Sequence, residues 1–435
     1  MIKKLQKATA ISMLIVFGVL NGSTIVFASW AQQEQVNASD AAANDNFGYD
    51  TDISGNYAIF GAPEKQVGAN AAAGVAYTYE RSGSDWVQRT ILTTSDGVAN
   101  DKFSQSVGIS PNYATGGVIS KNAVYFYTRS GSTWGSEQKK TSSDAAAEDN
   151  FGFNLDLTDN YAIVGAPNND DAGSSSGSAY IFAQSGGTWT QQAKLTASDA
   201  ATVDLFGSAV ALTDLYAVVG APNDDDAGSE SGSAYVYARS GSSWGSEVKI
   251  TASDAGAGDY FGKSVAINGD YIIVGANEEN NQGAAYIFLR NGTAWNQQAK
   301  IVSSDIASGD AFGYRVDIED PYAIIGAFTD DDAGSESGSA YIFYRNGTDW
   351  SQNAKLTAGN AAAGDNFGLG VGITTGYSTA GARYNDQTAS NAGSGYVFNY
   401  IDDVPEMSTY LYILVLVLFT GFMWKAMPQF QKQSA

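Results

Sequence analysis

The sequence predicts an all-β protein, a seven-bladed β-propeller of four-stranded antiparallel blades that is closed by an N-terminal strand completing blade 7. Three features support this prediction. A Phe-Gly pair or a close variant recurs seven times, at intervals of 48 to 56 residues, and such a period is typical of propellers and other repeat arrays. Each copy contains four short β-rich runs separated by turn residues. The last copy lacks its fourth run, and the chain supplies a matching run directly after residue 28.

The fourth copy shows the repeat unit most clearly. It reads DLFGSAVALTD, LYAVVGAP, the loop NDDDAGSESG, SAYVYAR, the turn SGSS and WGSEVKITASD. Four short runs broken by Gly, Asn, Asp and Pro favour an antiparallel blade over any helical period. The turn before each tryptophan contains Ser-Gly or Asn-Gly, which supplies the positive φ of a tight hairpin. The repeated phenylalanines are Phe47, Phe103, Phe151, Phe206, Phe261, Phe312 and Phe367.

The seventh copy ends at GYVFNY (395–400) without a tryptophan run, and the missing run stands at the other end of the propeller as SWAQQEQV (29–36). Each blade receives one tryptophan only if Trp30 joins the seventh blade. The N-terminal run is therefore predicted to pair with the open edge of blade 7 and to lock the ring. The seven tryptophans are Trp30, Trp86, Trp134, Trp189, Trp244, Trp295 and Trp350.

Residues 1–28 have the pattern of a secretory signal peptide, with three early lysines, an apolar run and small residues before Ser29. The propeller is predicted over residues 29–400, followed by a linker at 401–406. Residues 407–424 carry no charge and are long enough to span a bilayer, and the basic residues after them predict a cytoplasmic tail at 425–435. We therefore expect an exported protein at the cell surface or the outer face of a membrane, anchored by this C-terminal transmembrane segment.

The C-terminal segment has a second interpretation. VPEMST (404–409), the apolar run and Lys425 together resemble the PEP-CTERM sorting signals that exosortase-type enzymes process. That resemblance implies that the segment is cut off after sorting. Met407 stands where that family has its second proline, and only one basic residue follows the apolar run directly. A plain membrane anchor and a processed sorting signal both stay open.

The amino-acid composition limits the reactions and partners that the protein can have. The chain has 46 acidic and 23 basic residues, a net charge of −23, no Cys and no His. Lack of Cys excludes disulfides and thiol chemistry, and lack of His removes the usual zinc ligands and the commonest general base. The negative charge repels phosphates, so we expect no nucleic-acid partner.

The FG and GAP signatures, as in Phe151-Gly152 followed by Gly165-Ala166-Pro167, resemble FG-GAP repeats, the units of the integrin alpha-subunit propeller and of many bacterial surface proteins. The resemblance covers residues 29–400 and implies a seven-bladed propeller that acts by binding rather than by catalysis. In the integrin-type repeat a calcium loop lies between the FG and GAP strands. Here that position holds only short turns such as LTDN and NGD, so the integrin-type calcium sites are not carried over.

Acidic residues cluster instead in the loop after GAP, in blades 3, 4 and 6. Closely spaced carboxylates and backbone carbonyls are the ligands that calcium prefers, so these loops are candidate calcium sites. The alternative is that Asp, Gly and Ser simply make soluble loops, as blades 1, 2 and 5 lack the motif. The candidate metal ligands are Asp170, Asp171, Asp224, Asp225, Asp226, Asp330, Asp331 and Asp332.

A second acidic pattern, Asp-x4-Asp, stands before most of the Phe-Gly pairs, as in Asp199 with Asp204 and Asp254 with Asp259. Its regularity predicts a structural role, in which the side chains fix the crossover loop by hydrogen bonds to the backbone. In an antiparallel blade this crossover and the loop after GAP lie on one face. We therefore expect an acidic face, and an opposite face that carries the arginines ending the third strands, Arg81, Arg129, Arg239, Arg290 and Arg345.

Taken together, these features predict a tethered adhesion or recognition module that binds a protein or carbohydrate ligand on its acidic face, with calcium as the candidate cofactor. One alternative is a structural subunit of a surface layer or extracellular matrix, and a second is a carbohydrate-active enzyme. A deep axial pocket with converging carboxylates would favour the enzyme. We expect no enzymatic activity, because the uniform copies offer no unique cluster of catalytic groups.

Overall fold

The computed structural model describes residues 29–401. The predicted signal peptide, membrane or sorting segment and cytoplasmic tail lie outside the described residues, as does the linker after Ile401, so those predictions stay untested. Within 29–401 no helix is both long enough and apolar enough to cross a membrane.

The described chain contains 28 β-strands and two short 3-10 helices, Ile119–Lys121 and Glu279–Asn281. The N-terminal strand and the strands of blades 1 to 3 are β1 Ser29–Val36, β2 Thr51–Ser54, β3 Tyr57–Ala62, β4 Val75–Ser82, β5 Asp85–Leu92, β6 Val107–Ile109, β7 Tyr113–Val118, β8 Ala123–Ser130, β9 Thr133–Lys140, β10 Leu155–Leu157, β11 Tyr161–Ala166, β12 Ser178–Ser185 and β13 Thr188–Leu195. Those of blades 4 to 7 are β14 Ala209–Leu212, β15 Tyr216–Ala221, β16 Ser233–Ser240, β17 Ser243–Ile250, β18 Ser264–Asn268, β19 Tyr271–Ala276, β20 Ala284–Asn291, β21 Ala294–Ile301, β22 Arg315–Glu319, β23 Tyr322–Ala327, β24 Ser339–Asn346, β25 Asp349–Leu356, β26 Phe367–Thr374, β27 Tyr377–Ala382 and β28 Ser394–Ile401.

These strands form seven four-stranded antiparallel sheets, and six of them use four consecutive strands. The first strand of each blade contacts the first strands of both neighbouring blades, so these strands form a closed inner ring around the axis. The seventh sheet has the order β1-β28-β27-β26, in which the N-terminal strand takes the outer position. The predicted seven-bladed fold and its closure by the N-terminal strand are therefore confirmed.

The hydrophobic core lies between neighbouring blades. Phe206 of blade 4 is fully buried in a cluster that includes Ile163 and Ile181 of blade 3. Its ring packs against Tyr235 and Tyr237 of its own blade, with centroids 5.4 and 6.2 Å apart. All seven repeated phenylalanines are fully buried. The Phe of the repeat thus anchors each blade to the preceding one.

The glycines of the two motifs let adjacent blades meet backbone to backbone. Gly207 has a φ of +95°, and a Cβ there would lie 2.3 Å from the carbonyl oxygen of Ser178 in blade 3. A Cβ on Gly165 would lie 1.9 Å from the carbonyl oxygen of Gly207. In blade 2 the corresponding Ser104, with a φ of +81°, instead donates a 2.6 Å hydrogen bond to the Val75 carbonyl. The close contact between blades is kept in blade 2, because the Ser104 hydroxyl forms a hydrogen bond with the carbonyl oxygen of the neighbouring blade.

The tryptophan strand also joins blades. Trp244 of blade 4 meets the Tyr161 ring of blade 3 edge-on, with centroids 5.5 Å apart, and Arg239 lies 4.9 Å from the same ring. Arg239 further donates to the carbonyl oxygens of Asp214 and Gly241, which belong to the first and third turns of the blade. Arg81, Arg129, Arg290 and Arg345 stack on the equivalent tyrosines. The arginines of this face are therefore structural contacts between blades.

Candidate functional site

Two sets of loops share the face opposite these arginines, which we call the loop face: the crossovers between blades and the loops after the second strands. The second aspartate of each Asp-x4-Asp pattern fixes its crossover as predicted. Asp204, for example, accepts a 2.6 Å hydrogen bond from the backbone N–H of Ala201. Equivalent bonds involve Asp45, Asp101, Asp149, Asp259, Asp310 and Asp365.

The acidic loops of the loop face form what we call the rim clusters, and each is organised around a cation or amide of the same blade. In blade 4 the ammonium of Lys249 lies 2.8 Å from Asp199, 2.9 Å from Asp224 and 2.5 Å from Asp226. The Tyr235 hydroxyl lies 2.7 Å from Asp224, whose side chain is only 4% exposed. Lys249 therefore neutralises the carboxylates that the sequence offers to a metal.

The same arrangement recurs in blades 3, 5 and 6. Lys194 pairs with Asp144 and Asp171, and Lys300 pairs with Asp254 and Glu279. Lys355 pairs with Asp305, Asp330 and Asp332. Each of these lysines follows the blade's tryptophan by five residues. Sequence reasoning missed the lysines, although this fixed spacing was a signal that could have found them.

The remaining predicted ligands have another local role. Asp170, Asp225 and Asp331 each accept a 2.7 Å hydrogen bond from the backbone N–H five residues later, which closes the loop on itself. In blade 4, oxygens of Asp199, Asp224 and Asp226 lie within 4.8 Å of one another, close enough to hold one metal ion. A metal ion there would have to displace Lys249. Calcium at the predicted ligands therefore stays a prediction.

The other blades keep the cluster but move or remove its charge. In blade 1 the cation is Lys65, within the loop itself, 2.8 Å from Asp45. In blade 7, within the described residues, no lysine belongs to the cluster: Gln35 takes the lysine position and donates a 2.9 Å hydrogen bond to Ser394. Asn385 and Asn360 replace the aspartates, and Asn360 accepts a 2.7 Å hydrogen bond from Tyr396. The rim clusters thus vary in charge while keeping a shared hydrogen-bonding design.

The lysines stabilise the ionised rim carboxylates. In blade 2, burial works against ionisation, but hydrogen bonds from Lys139 and Tyr125 hold the pKa of Asp96 at about 2. In blade 4, burial raises the pKa of Asp199, but hydrogen bonds from Lys249 and Tyr235 outweigh it and hold this pKa below its usual value. These carboxylates therefore stay charged and paired through the neutral range.

Three carboxylates project from the inner ring toward the axis, and we call them the axial carboxylates: Asp52, Asp156 and Asp317. Asp156 accepts 2.7 Å hydrogen bonds from the backbone N–H groups of Leu157 in its own blade and Leu212 in the next. Asp52 and Asp317 make the equivalent pairs of bonds. Each axial carboxylate therefore bridges two neighbouring inner strands.

Burial raises the pKa of the axial carboxylates despite these hydrogen bonds. It raises the pKa of Asp52 to about 6, and burial together with the charge of Asp52 raises that of Asp156 to about 7. The pKa of Asp317 is raised well above its usual value for the same two reasons. The cavity beside them is about 120 Å³, below the range of about 300 to 1,000 Å³ for ligand pockets. The axis has converging carboxylates without room for a sugar substrate, so this geometry does not favour a hydrolase.

A wider depression of about 240 Å³ opens on the loop face over the axis, and we call it the axial mouth. Its walls come from the residues that follow the Phe-Gly pairs and from nearby loops. The aromatic and cationic side chains that line it are Tyr49, Phe153, Tyr260, Lys263, Tyr314 and Arg315. Phe153 is 41% exposed, which is unusual for a ring of this size. The mouth is therefore lined by rings and cations in an otherwise acidic protein.

The cations of the axial mouth differ from the rim lysines in their partners. Lys263 lies 5.4 Å from the Tyr314 ring centroid, and within residues 29–401 no carboxylate pairs with its ammonium. Arg315 lies 5.7 Å from the same ring, and its one ion pair among the described residues, with Asp50, is 4.0 Å long. Phe328 packs against the Tyr314 ring at 4.5 Å. Sequence reasoning missed this site, because the position after Phe-Gly does not repeat.

The chain is similar to the FG-GAP repeat family over six segments, residues 30–79, 134–182, 189–237, 244–288, 295–343 and 350–398. Each segment starts at a tryptophan strand and continues through three strands of the next blade, while the irregular second copy is left out. No curated protein matches the chain. Because the matched segments make up more than half of the chain, the protein belongs to the FG-GAP repeat family.

Proposed function

We propose that the protein is an exported, membrane-tethered propeller that recognises a ligand outside the cell. The ligand is bound on the loop face, at the axial mouth. Residues 1–28 would direct export, and residues 407–424 would hold the propeller at the membrane or direct its sorting. Family membership supports a binding and recognition module of the integrin-like kind.

One observation carries the proposal: the seven blades are nearly uniform in their structural contacts but not at the axial mouth. The position after Phe-Gly holds Tyr49, Phe153, Lys263 and Tyr314 in four of the blades. These side chains are at least partly exposed, and none takes part in the contacts between Trp and Tyr that hold blades together. Variation on a repeated scaffold, at a concave and partly apolar surface, is typical of a binding site.

Calcium belongs to the proposal only as an accessory ligand of the rim clusters. Calcium in blade 4 would bind Asp224 and Asp226 after Lys249 has moved away. Calorimetric titration of the protein with calcium, and melting in calcium and in chelator, would test it. Saturable binding with a raised melting temperature would support the accessory role, and neither effect would remove calcium from the proposal.

Two tagged versions of the full chain test the proposed function. A bulky tag in the rim loop 223–232 lies on the loop face, and a control tag after Gly241 lies on the arginine face. We expect both tags to be reached by protease added to intact cells. We expect only the loop-face tag to reduce binding of the cells to beads that carry envelope polysaccharide or protein fractions. Equal binding with both tags would contradict a ligand site on the loop face.

A further inference from the structure

The axial mouth has the chemistry to recognise one particular kind of ligand. We propose that it binds a saccharide that carries a carboxylate, such as a hexuronic acid residue exposed on a glycan. This inference rests on the proposed function, because it names the ligand class for the same loop face. It also goes further, since it assigns roles to single residues of the mouth.

The positive charges of the mouth are suited to a single carboxylate. Lys263 and Arg315 lie at 5.4 and 5.7 Å from the same ring, that of Tyr314, and both line the axial mouth. Lys263 has no carboxylate partner among residues 29–401, whereas each rim lysine from Lys194 to Lys355 has two or three. A bound carboxylate would supply the missing partner by charge-assisted hydrogen bonds.

A third cation extends the same surface. The Arg383 guanidinium lies 5.5 Å from the Tyr49 ring centroid and 4.4 Å from that of Tyr384. Its hydrogen bonds go to the amide oxygen of Asn366, so no carboxylate neutralises it within the described chain. The chain as a whole has a net charge of −23, which repels polyanions at a distance. The mouth therefore favours a ligand with one localised negative charge on a neutral body.

The rings of the mouth are suited to the neutral body of a sugar. Tyr314 is held by Phe328 on one side, so its ring is fixed before any ligand arrives. Tyr49 and Tyr314 are partly exposed and Phe153 is exposed, and all three line a depression of about 240 Å³. This volume lies just below the range of about 300 to 1,000 Å³ for ligand pockets, so it admits one terminal ring rather than a long chain.

An acidic peptide also carries carboxylates, but the shape of the mouth suits an extended peptide less well. Extended peptides are usually recognised along a free sheet edge or in an elongated groove. The mouth is a closed depression lined by residues of six blades, and the sheet edges of the blades lie at the periphery and at the axis. A compact ring with one carboxylate therefore uses the mouth better than an extended backbone does.

The test uses the full-length protein and two probes that differ only in the carboxylate, methyl glucuronide and methyl glucoside. We expect calorimetry to show the glucuronide binding about tenfold or more tightly than the glucoside, because a charge-assisted bond is added. Lys263→Gln should remove most of that difference. Lys140→Gln should leave that difference unchanged, because Lys140, which also has no ion pair within the described part of the chain, lies on β9 of blade 2.

Melting temperature controls for folding, and Lys263→Gln should leave it unchanged because the ammonium makes no hydrogen bond within residues 29–401. A second variant, Tyr314→Ala, should weaken the binding of both sugars.

Equal binding of the two sugars, or no effect of Lys263→Gln, would overturn the proposal. Binding of an Asp-rich peptide that depends on Lys263, with no binding of glucuronide, would also overturn it, yet would leave a ligand site on the loop face intact. Loss of the tag effect described above would instead count against the proposed function.

Discussion

The axial carboxylates make the stability of the ring depend on pH in an unusual window. Asp52 and Asp156 have raised pKa values of about 6 and 7 in the folded protein, whereas an unfolded Asp titrates near its ordinary value of about 3.9. The folded state therefore holds more protons between these values. Their stabilising contribution is fully present below about pH 4 and is lost as the pH rises through 6 to 7.

We therefore expect the melting temperature to fall between pH 5 and pH 7, and Asp156→Asn to flatten that fall. The groups facing Asp156 across the cavity are Asp50, Asp52, Asp317 and Arg315. The chain has no His or Cys, so no side chain with an ordinary pKa titrates in this window. Thermal melting in buffers of equal ionic strength measures the slope, and Asp349→Asn, at an exposed carboxylate on β25, is the control. An identical slope in Asp156→Asn and the parent protein would refute this prediction.

The rim lysine of blade 4, Lys249, both neutralises a buried carboxylate and competes with a metal ion. Lys249→Met leaves Asp224 buried without its cation, so we expect a loss of roughly 1 to 3 kcal/mol in the free energy of unfolding. The same change removes the charge that competes with a metal ion. Melting with and without calcium should therefore show a larger calcium-induced rise in Lys249→Met than in the parent protein. Lys140→Met serves as control, and equal calcium responses would argue against a metal site in this cluster.

Most of the strands and turns could be predicted, because the residues of each turn themselves specify its conformation. Ser-Gly or Asn-Gly before the tryptophan and the Gly of Phe-Gly both specify a positive φ, and the structure places Gly241 at +62° and Gly207 at +95°. The lysine clusters do not depend on local turn residues, and the only signal for them was the fixed spacing of each lysine after its tryptophan. Lys249 is 50 residues from Asp199 and 25 from Asp224, so only the folded blade brings them together. The axial mouth was missed for a different reason, since its residues vary from copy to copy.

The N-terminal strand is the element on which the ring closure depends. Strand β28 would be an unpaired edge without β1, and unpaired edges associate with other chains. Deletion of residues 29–36 should therefore lower the melting temperature and promote aggregation. A synthetic peptide with the sequence SWAQQEQV should restore both, whereas a scrambled peptide should not. Light scattering and thermal melting measure the two effects, and a deletion variant that melts like the parent protein would contradict this role of β1.

The propeller begins and ends at one of seven equivalent turns, one in each blade. The break between β28 and β1 falls at the third turn of blade 7, and the same turn in blade 4 joins β16 to β17 through Gly241. A circular permutant of the propeller with residue 401 linked to residue 29 and new ends at this turn should keep the same outer-strand closure. We expect it to melt within a few degrees of the same unpermuted propeller, by circular dichroism.

A permutant opened between β14 and β15 is the contrasting case. Opening there separates an inner strand from its blade, and inner strands build the closed ring around the axis. We expect that variant to be clearly less stable than the one opened at Gly241. Equal stability of the two permutants would show that the outer position of the closing strand has no special importance.

The rim cluster of blade 7, in which hydrogen bonds replace the lysine ion pairs of other blades, has a consequence for the conditions that the propeller tolerates. Blades 1 to 6 hold their rims together with ion pairs that dissolved salt screens, more strongly where the partners are exposed. The blade that closes the ring uses Gln35, Asn360 and Asn385 instead, and hydrogen bonds between neutral groups respond little to salinity. As the salt concentration rises, the propeller should therefore loosen at the rims of blades 1 to 6 before it opens between β1 and β28.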